Sequence, residues 1–294
     1  FIKKHSHPMY NCIKLILFLC CFPAMFSSWS CNLINPEETI PTYVRIDSFH
    51  FTPTPNTGTI SQNITSAWVY FNNQTVGTFD LPAVIPIIAK EPGTLTVMPG
   101  VDYSGLQSVQ VIYPYFTFDT FSFNPQPGQE LHFIPNTHYI ADTQLNILQE
   151  DFEFGNSFVI YTGDTLRAVT DPSKVFEGNR SGEVRLDTLD YAEHILNVAF
   201  TVAGTEAFVE MNYNASANIR MEVGLQTINQ TGQLFINYLF GLKPKEGWQK
   251  VYIGLQEFLA VYTNKQYRLV IKTIADDPAG GTLLLDNIKI ISKK

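Results

Sequence analysis

Ile219-Arg220-Met221-Glu222-Val223-Gly224-Leu225 is the stretch that decides the fold. Its apolar residues fall at every second position, with Arg220, Glu222 and Gly224 between them. Successive side chains of an extended chain point to opposite faces, so this period of two marks a strand with one buried and one wet face. The same signal recurs on both sides. Strand-like runs occupy residues 195–202, 208–213, 234–240, 248–253, 267–274 and 283–291, and only residues 255–262 suggest a helical turn. That many strands over this length predict a jelly roll beginning near Leu148.

Toward the N-terminus the runs are shorter. Residues 44–49 alternate, and Ala67-Trp68-Val69-Tyr70-Phe71 is rich in aromatic and β-branched side chains. Asn72-Asn73 supplies a tight polar turn, and residues 74–79 return as the second arm of a hairpin. Further runs at 83–88, 94–98, 107–112 and 115–123 are punctuated by Pro92-Gly93, Pro99-Gly100 and Pro127-Gly128. The expected fold class is all-β, with two β-sandwich domains: a small one over residues 43–147 and the jelly roll over residues 148–294. Each carries enough alternating apolar sequence for its own core and is expected to fold alone.

Residues 1–31 read differently. An apolar run over 15–26 follows Lys14 and leads into Ser28-Trp29-Ser30-Cys31, with small residues one and three places before the cysteine. This is the layout of a secretory signal with its cleavage site. With Cys31 as the first mature residue, it resembles a bacterial lipoprotein signal. The run is short for a bilayer core, which takes about 20 apolar residues, and Pro23 interrupts it. The resemblance implies acyl chains on Cys31 and a membrane partner through that lipid anchor. Asn32, where an Asp commonly marks inner-membrane retention, implies the outer membrane. Glu37-Glu38 resembles the acidic tract that directs some such lipoproteins to the cell surface. Residues 32–42, with two prolines and no apolar periodicity, read as a tether or as an ordinary ragged domain start.

All four cysteines (Cys12, Cys20, Cys21 and Cys31) lie within or at the end of this signal, so the rest of the chain has no disulfide or thiolate chemistry. With 294 residues, 45% of them hydrophobic and 16% charged, the chain has ample material for packed cores. Its net charge of −8 disfavours nucleic acid, which takes a basic face to displace counterions.

Two further resemblances bear on function. Val69-Tyr70-Phe71-Asn72-Asn73-Gln74-Thr75-Val76-Gly77-Thr78, then Leu81-Pro82 and Pro86, then Pro92-Gly93-Thr94-Leu95-Thr96-Val97 and Pro99-Gly100, resemble the PEGA type of surface β-domain. That implies a non-catalytic surface module. In the second half, Asp151-Phe152-Glu153, Phe176-Glu177-Gly178-Asn179-Arg180-Ser181-Gly182, Gly247-Trp248-Gln249-Lys250-Val251-Tyr252-Ile253 and Gly280-Gly281-Thr282-Leu283-Leu284-Leu285-Asp286-Asn287-Ile288 occur in that order. They resemble carbohydrate-binding-module jelly rolls of the galactose-binding-like superfamily, across residues 148–292. The expected function is non-catalytic binding of a glycan at the cell surface. The alternative is a structural or adhesion component that contacts another surface protein.

The candidate sites follow from these resemblances. Tyr161 and Tyr213, with Tyr238 as a third, are the aromatics available to stack a sugar, although an aromatic at a strand position also serves as core. Jelly rolls of this kind often hold a structural calcium where the first strand meets the last, and the matching positions are Glu153 and Asp286. Asp286 stands among Leu284, Ile288 and Ile290 on a face expected to be buried, where an unpaired carboxylate would be costly. A cation or backbone N–H donors would each satisfy it, and both readings stand. No phosphate loop, nucleophile elbow or His-Glu-x-x-His helix is present, so no enzyme is expected. His132 and His138 read as solvent-facing, Asp276-Asp277 as a turn, and Glu150 and Asp151 as loop charges.

Overall fold

The computed structural model describes residues 38–228, 233–245, 247–262 and 265–294. The expected signal over 1–31, with Cys31, and residues 32–37 of the tether lie outside these. Where the sequence alternates, the chain is extended. The first unit contains β1 (Thr42–Ile46), β2 (His50–Phe51), β3 (Ser66–Phe71), β4 (Gln74–Asp80), β5 (Ala83–Ile87), β6 (Gly93–Asp102), β7 (Gln110–Ile112), β8 (Asp119–Phe123), β9 (Glu130–His132) and β10 (Asn136–Thr137). They form a sheet ordered β4-β3-β6-β7 with β8 also on β6, a second sheet ordered β5-β1-β9, and a small β2-β10 pair. Asn72 and Asn73 both take positive φ, 48° and 64°, the geometry of a two-residue hairpin turn. That turn sets Phe71 opposite Gln74. Val44, Ile46, Val69, Ile85, Leu95 and Val97 fill the core between the sheets.

The second unit contains β11 (Leu145–Glu150), β12 (Phe158–Thr162), β13 (Arg167–Val169), β14 (Ser181–Leu186), β15 (Tyr191–Leu196), β16 (Ala207–Ala215), β17 (Ile219–Ile228), β18 (Leu234–Leu242), β19 (Gln249–Gly254), β20 (Tyr267–Ala275) and β21 (Gly281–Lys293). Leu148 therefore lies inside β11. One sheet is ordered β13-β14-β21-β16-β19 with β11 also on β21; the other is ordered β12-β15-β20-β17-β18. Ile219, Met221, Val223 and Leu225 are fully buried between them, as the alternation predicts. The helical turn is α1 (Gln256–Val261). The run at 195–202 is corrected: its strand, β15, ends at Leu196, and Phe200 returns only for an isolated bridge to Tyr267.

The first unit lies on the outer face of the β13–β19 sheet. Phe208, Tyr252 and Ile291 pack there with Val101, Tyr113, Tyr115, Phe116 and Tyr139. Gly254 lets the Tyr103 ring lie directly on β19, where any Cβ would collide with it. Within this apolar layer sits a buried carboxylate. Glu210 accepts hydrogen bonds from the Tyr113 hydroxyl at 2.5 Å and the Tyr139 hydroxyl at 2.7 Å. Lys250 Nζ lies 3.3 Å and Lys289 Nζ 3.6 Å from Glu210 Oε2, and Lys289 also donates to the Tyr139 hydroxyl at 2.8 Å. Burial alone would raise the Glu210 pKa, but the two ammonium groups and the hydroxyls hold it down to about 2. Burial lowers Lys289 to about 8, against the opposing pull of Glu210.

Candidate functional site

The outer face of the β12–β18 sheet is chemically different. Register places Glu193 on β15, Lys272 on β20 and Glu222 on β17 in one row across it. Residues opposite one another in a sheet share a face, so these three stand together on the side away from the core. Lys272 Nζ is 3.2 Å from Glu193 Oε1. The same ammonium lies 4.5 Å from the centroid of the Tyr191 ring and 5.0 Å from that of Tyr238, within cation–π range of both.

Tyr238 reaches this cluster because the residue opposite it on β17 is Gly224. With no side chain there, the ring can lie across β17; a Cβ at Gly224 would sit 3.1 Å from Tyr238 Cδ1. Burial, and the Glu193 carboxylate that accepts a hydrogen bond from its hydroxyl, raise the Tyr238 phenol. Even so, Tyr191 is 44% and Tyr238 38% exposed. The face thus offers two accessible rings with a partly exposed ammonium between them, held by the buried Glu193 carboxylate. Flat apolar surface beside a few fixed polar groups is what orients a small polar ligand.

Tyr161, on the neighbouring β12, is 56% exposed beside Val159 and Ile160, at a bulge between Ile160 and Thr162. Its accessibility suits the expected contact. Tyr213 is corrected: only 3% exposed, it packs in the sandwich core and donates its hydroxyl to the Lys243 carbonyl at 3.2 Å. Its ring lies on the inner side of β16, in the core between the two sheets. Tyr191, Glu193 and Lys272 were not legible as site residues. Tyr191-Ala192-Glu193-His194 lacks a clear apolar alternation, and its strand role emerges only from pairing with β12 and β20.

Glu153 and Asp286 do converge. Both line a cleft of about 250 Å³ together with Thr59, Glu150, Glu177 and Lys289. Glu153 Oε1 accepts the N–H groups of Asn179 at 2.6 Å and Arg180 at 2.9 Å, which lowers its pKa. Asp286, 1% exposed, accepts the Ser181 hydroxyl at 2.6 Å, the Glu177 N–H at 3.2 Å and its neighbour's N–H, from Asn287, at 2.7 Å. Burial raises Asp286, and these donors oppose the rise. Among the described residues no group of three or more His, Cys, Asp or Glu is placed to hold a metal ion. The N–H and O–H groups aimed at both carboxylates take up part of their acceptor capacity, each carboxylate having about four lone-pair sites.

His132 Nε2 lies 2.9 Å from Asp47 Oδ2, and His138 Nδ1 3.2 Å from the Thr117 hydroxyl, both exposed. Asp276 pairs with Arg220 Nε at 3.0 Å, and Asp277 accepts the Ala279 N–H at 2.8 Å in a turn.

No family model and no curated protein matches the chain. Solved structures resemble it in part. The family 30 carbohydrate-binding module of a cellulosomal cellulase of Clostridium thermocellum is 14% identical, covering 49% of this chain and 98% of its own, with a TM-score of 0.39. A family 61 module in complex with β-1,4-galactotriose is 13% identical over 48% of this chain and 92% of its own, with a TM-score of 0.34. A structure described as carbohydrate-binding modules from the β-sandwich superfamily is 16% identical over 76% of this chain and 83% of its own, with a TM-score of 0.35.

Proposed function

We propose that the second sandwich is a non-catalytic glycan-binding module and that the outer face of its β12–β18 sheet receives the sugar. The observation that carries the reading is the Tyr191–Lys272–Tyr238 cluster, with Glu193 on the same ammonium. A sugar presents apolar C–H patches and a rim of hydroxyls. Exposed tyrosine rings accept the first, and the lysine between them, held by Glu193, donates to the second. Tyr161, at the bulge of β12, extends the aromatic surface toward the sheet edge. Nothing in this arrangement pairs a nucleophile with a base, and each carboxylate of the row has its own cation, Lys272 for Glu193 and Arg220 for Glu222.

The protein is proposed to sit on the outer membrane through acyl chains on Cys31, with the first unit between anchor and sugar face. Each buried methylene of such chains contributes about 0.8 kcal/mol, so more than one chain makes the anchor durable. Labelled palmitate is expected on the native chain and not on Cys31→Ala; label persisting on that variant would remove the anchor from the proposal. Protease shaving of intact cells reports surface display, and full protection would count against it.

The sugar face is tested by glycan-array binding of the full chain beside Tyr191→Ala, Tyr238→Ala and Tyr161→Ala. Binding is expected to a defined glycan and to fall at least about tenfold in the first two variants, the loss of roughly one stacked ring. A specific signal that survives both would move the sugar elsewhere. Absence of any glycan signal, with capture of another surface protein, would favour the adhesion reading.

A further inference from the structure

The β12–β18 sheet is unevenly charged from one end to the other. Its strands are antiparallel, so register brings together the start of β12, the end of β15, the start of β20, the end of β17 and the start of β18. Over residues 156–162, 194–205, 226–240 and 258–271, which supply this end, the sequence has no Asp or Glu. It has Lys265 and Arg268, in a chain whose net charge is −8. The carboxylates of Asp190, Glu222 and Asp276 belong to the other end. Tyr267, Leu269 and Ile271 point into the sandwich core, so Arg268, Val270 and Lys272 take the outer face of β20. Arg268 stands four positions before Lys272, about 13 Å along the strand. Between them, Val270 lies opposite Gly224, the residue that the Tyr238 ring crosses. The outer faces of β17 and β20 thus carry three cations. Arg220 pairs with Glu222 at 2.6 Å and with Asp276 at 3.0 Å, and Lys272 pairs with Glu193 at 3.2 Å. Arg268 is half-buried, and its neighbour on β17 is the uncharged Gln226. Among the described residues, no carboxylate lies within ion-pair distance of it.

A guanidinium presents five N–H donors in a planar fork, which suits a carboxylate or a tetrahedral oxyanion, and partial desolvation without such a partner is costly. Its own sheet supplies no anion at this end, and a ligand on the same face can. We infer that the glycan received by this face is acidic, with a carboxylate or sulfate on the sugar that reaches Arg268 while another sugar of the same chain lies on Tyr191 and Tyr238. This rests on the sugar-face reading above and adds the chemical class of the sugar. The span from Arg268 to the Lys272 cluster exceeds one pyranose ring, so the ligand is an oligosaccharide. The charge gradient also fixes its direction. An acidic group at the far end would meet Glu222 and Asp276 and be repelled; at the Arg268 end it meets only positive charge.

The test is binding of the full chain to matched oligosaccharides of glucose, galactose and mannose, each beside its uronate and its sulfated counterpart. At least one acidic member is expected to bind about tenfold or more tighter than its neutral match, and the better of the two acids names the group. Arg268→Gln, with an unchanged circular dichroism spectrum, is expected to remove that preference and leave the weaker neutral binding. Arg268→Lys, which keeps the charge but not the fork, is expected to restore part of it. Added salt is expected to weaken acidic binding by the native chain and to leave Arg268→Gln unaffected. Neutral sugars bound as well as acidic ones, with the binding lost in Tyr191→Ala, would overturn the acidic class and leave the sugar face standing. An acidic preference that survives Arg268→Gln would overturn the role of Arg268. Absence of binding to every member would overturn the sugar face itself, and the acidic class with it.

Discussion

Two faces of the second sandwich carry the same chemistry in opposite settings. Under the first unit, Glu210 meets Lys250, Lys289, Tyr113 and Tyr139. On the open sheet, Glu193 meets Lys272, with Tyr191 and Tyr238 on either side of the ammonium. Residue types are nearly identical, but solvent is not. Attraction between charges grows as the local dielectric falls, and so does the cost of leaving one unpaired. The covered cluster is therefore a lock: its tyrosines come from the first unit and its glutamate and lysines from the second, so separating the units strips partners from a desolvated charge. In the open cluster Glu193 is itself buried, but the Tyr191 and Tyr238 rings are exposed and Lys272 is partly exposed, so the rings and the ammonium can meet a ligand.

The sharpest way to break this comparison is Glu210→Ala. It leaves two buried ammonium groups without a counter-charge, and removing one member of a buried pair costs about 3–5 kcal/mol. On the open face Glu193 is also buried, but the Lys272 and Tyr238 groups it would leave unpaired reach solvent, so Glu193→Ala is expected to cost less, about 1–3 kcal/mol. Urea unfolding measures both, and equal losses would erase the distinction between the two faces.

Acid comes next. The Glu210 carboxyl is depressed from 4.5 to about 2 in the folded chain. Its stabilisation is therefore fully present above about pH 4.5 and lost as pH falls toward 2, an effect of about 3 kcal/mol. His194 acts in a higher window. Burial lowers its imidazole below the ordinary 6.5, so the neutral ring is favoured and stability is lost as pH falls below that value. Melting temperature followed from pH 7 downward is expected to fall in both windows, with His194→Gln flattening only the upper and Glu210→Gln only the lower. A profile unchanged in both variants would place the acid sensitivity elsewhere.

The smallest expected effect concerns the cleft of Glu153 and Asp286. Because backbone and hydroxyl donors already meet both carboxylates, chelator is expected to leave the melting temperature unchanged. A fall on chelation that disappears in Asp286→Asn would instead install a structural calcium there, since a ligand bound only to the folded chain stabilises by mass action.

Local sequence determined the strands, because side-chain alternation is a property of the extended backbone itself: Ile219 to Leu225 and the Asn72-Asn73 hairpin read the same alone as in the fold. It also determined that Glu153 and Asp286 belong together, as the resemblance placed them and β11 pairing with β21 brings them. It did not determine which polar residues stay wet. Glu210 in Phe-Val-Glu-Met-Asn and Lys289 in Ile-Lys-Ile alternate as solvent-facing residues would, and are buried because the first unit covers that face. Nor did it separate Tyr213 from Tyr191, both on strands. Tyr213 has its ring toward the core; Tyr191 stands on the outer face, where it is 44% exposed among the described residues. Period two says that a strand has two sides. Only the packing of one sheet against another, and of one unit against the other, decides which side meets water.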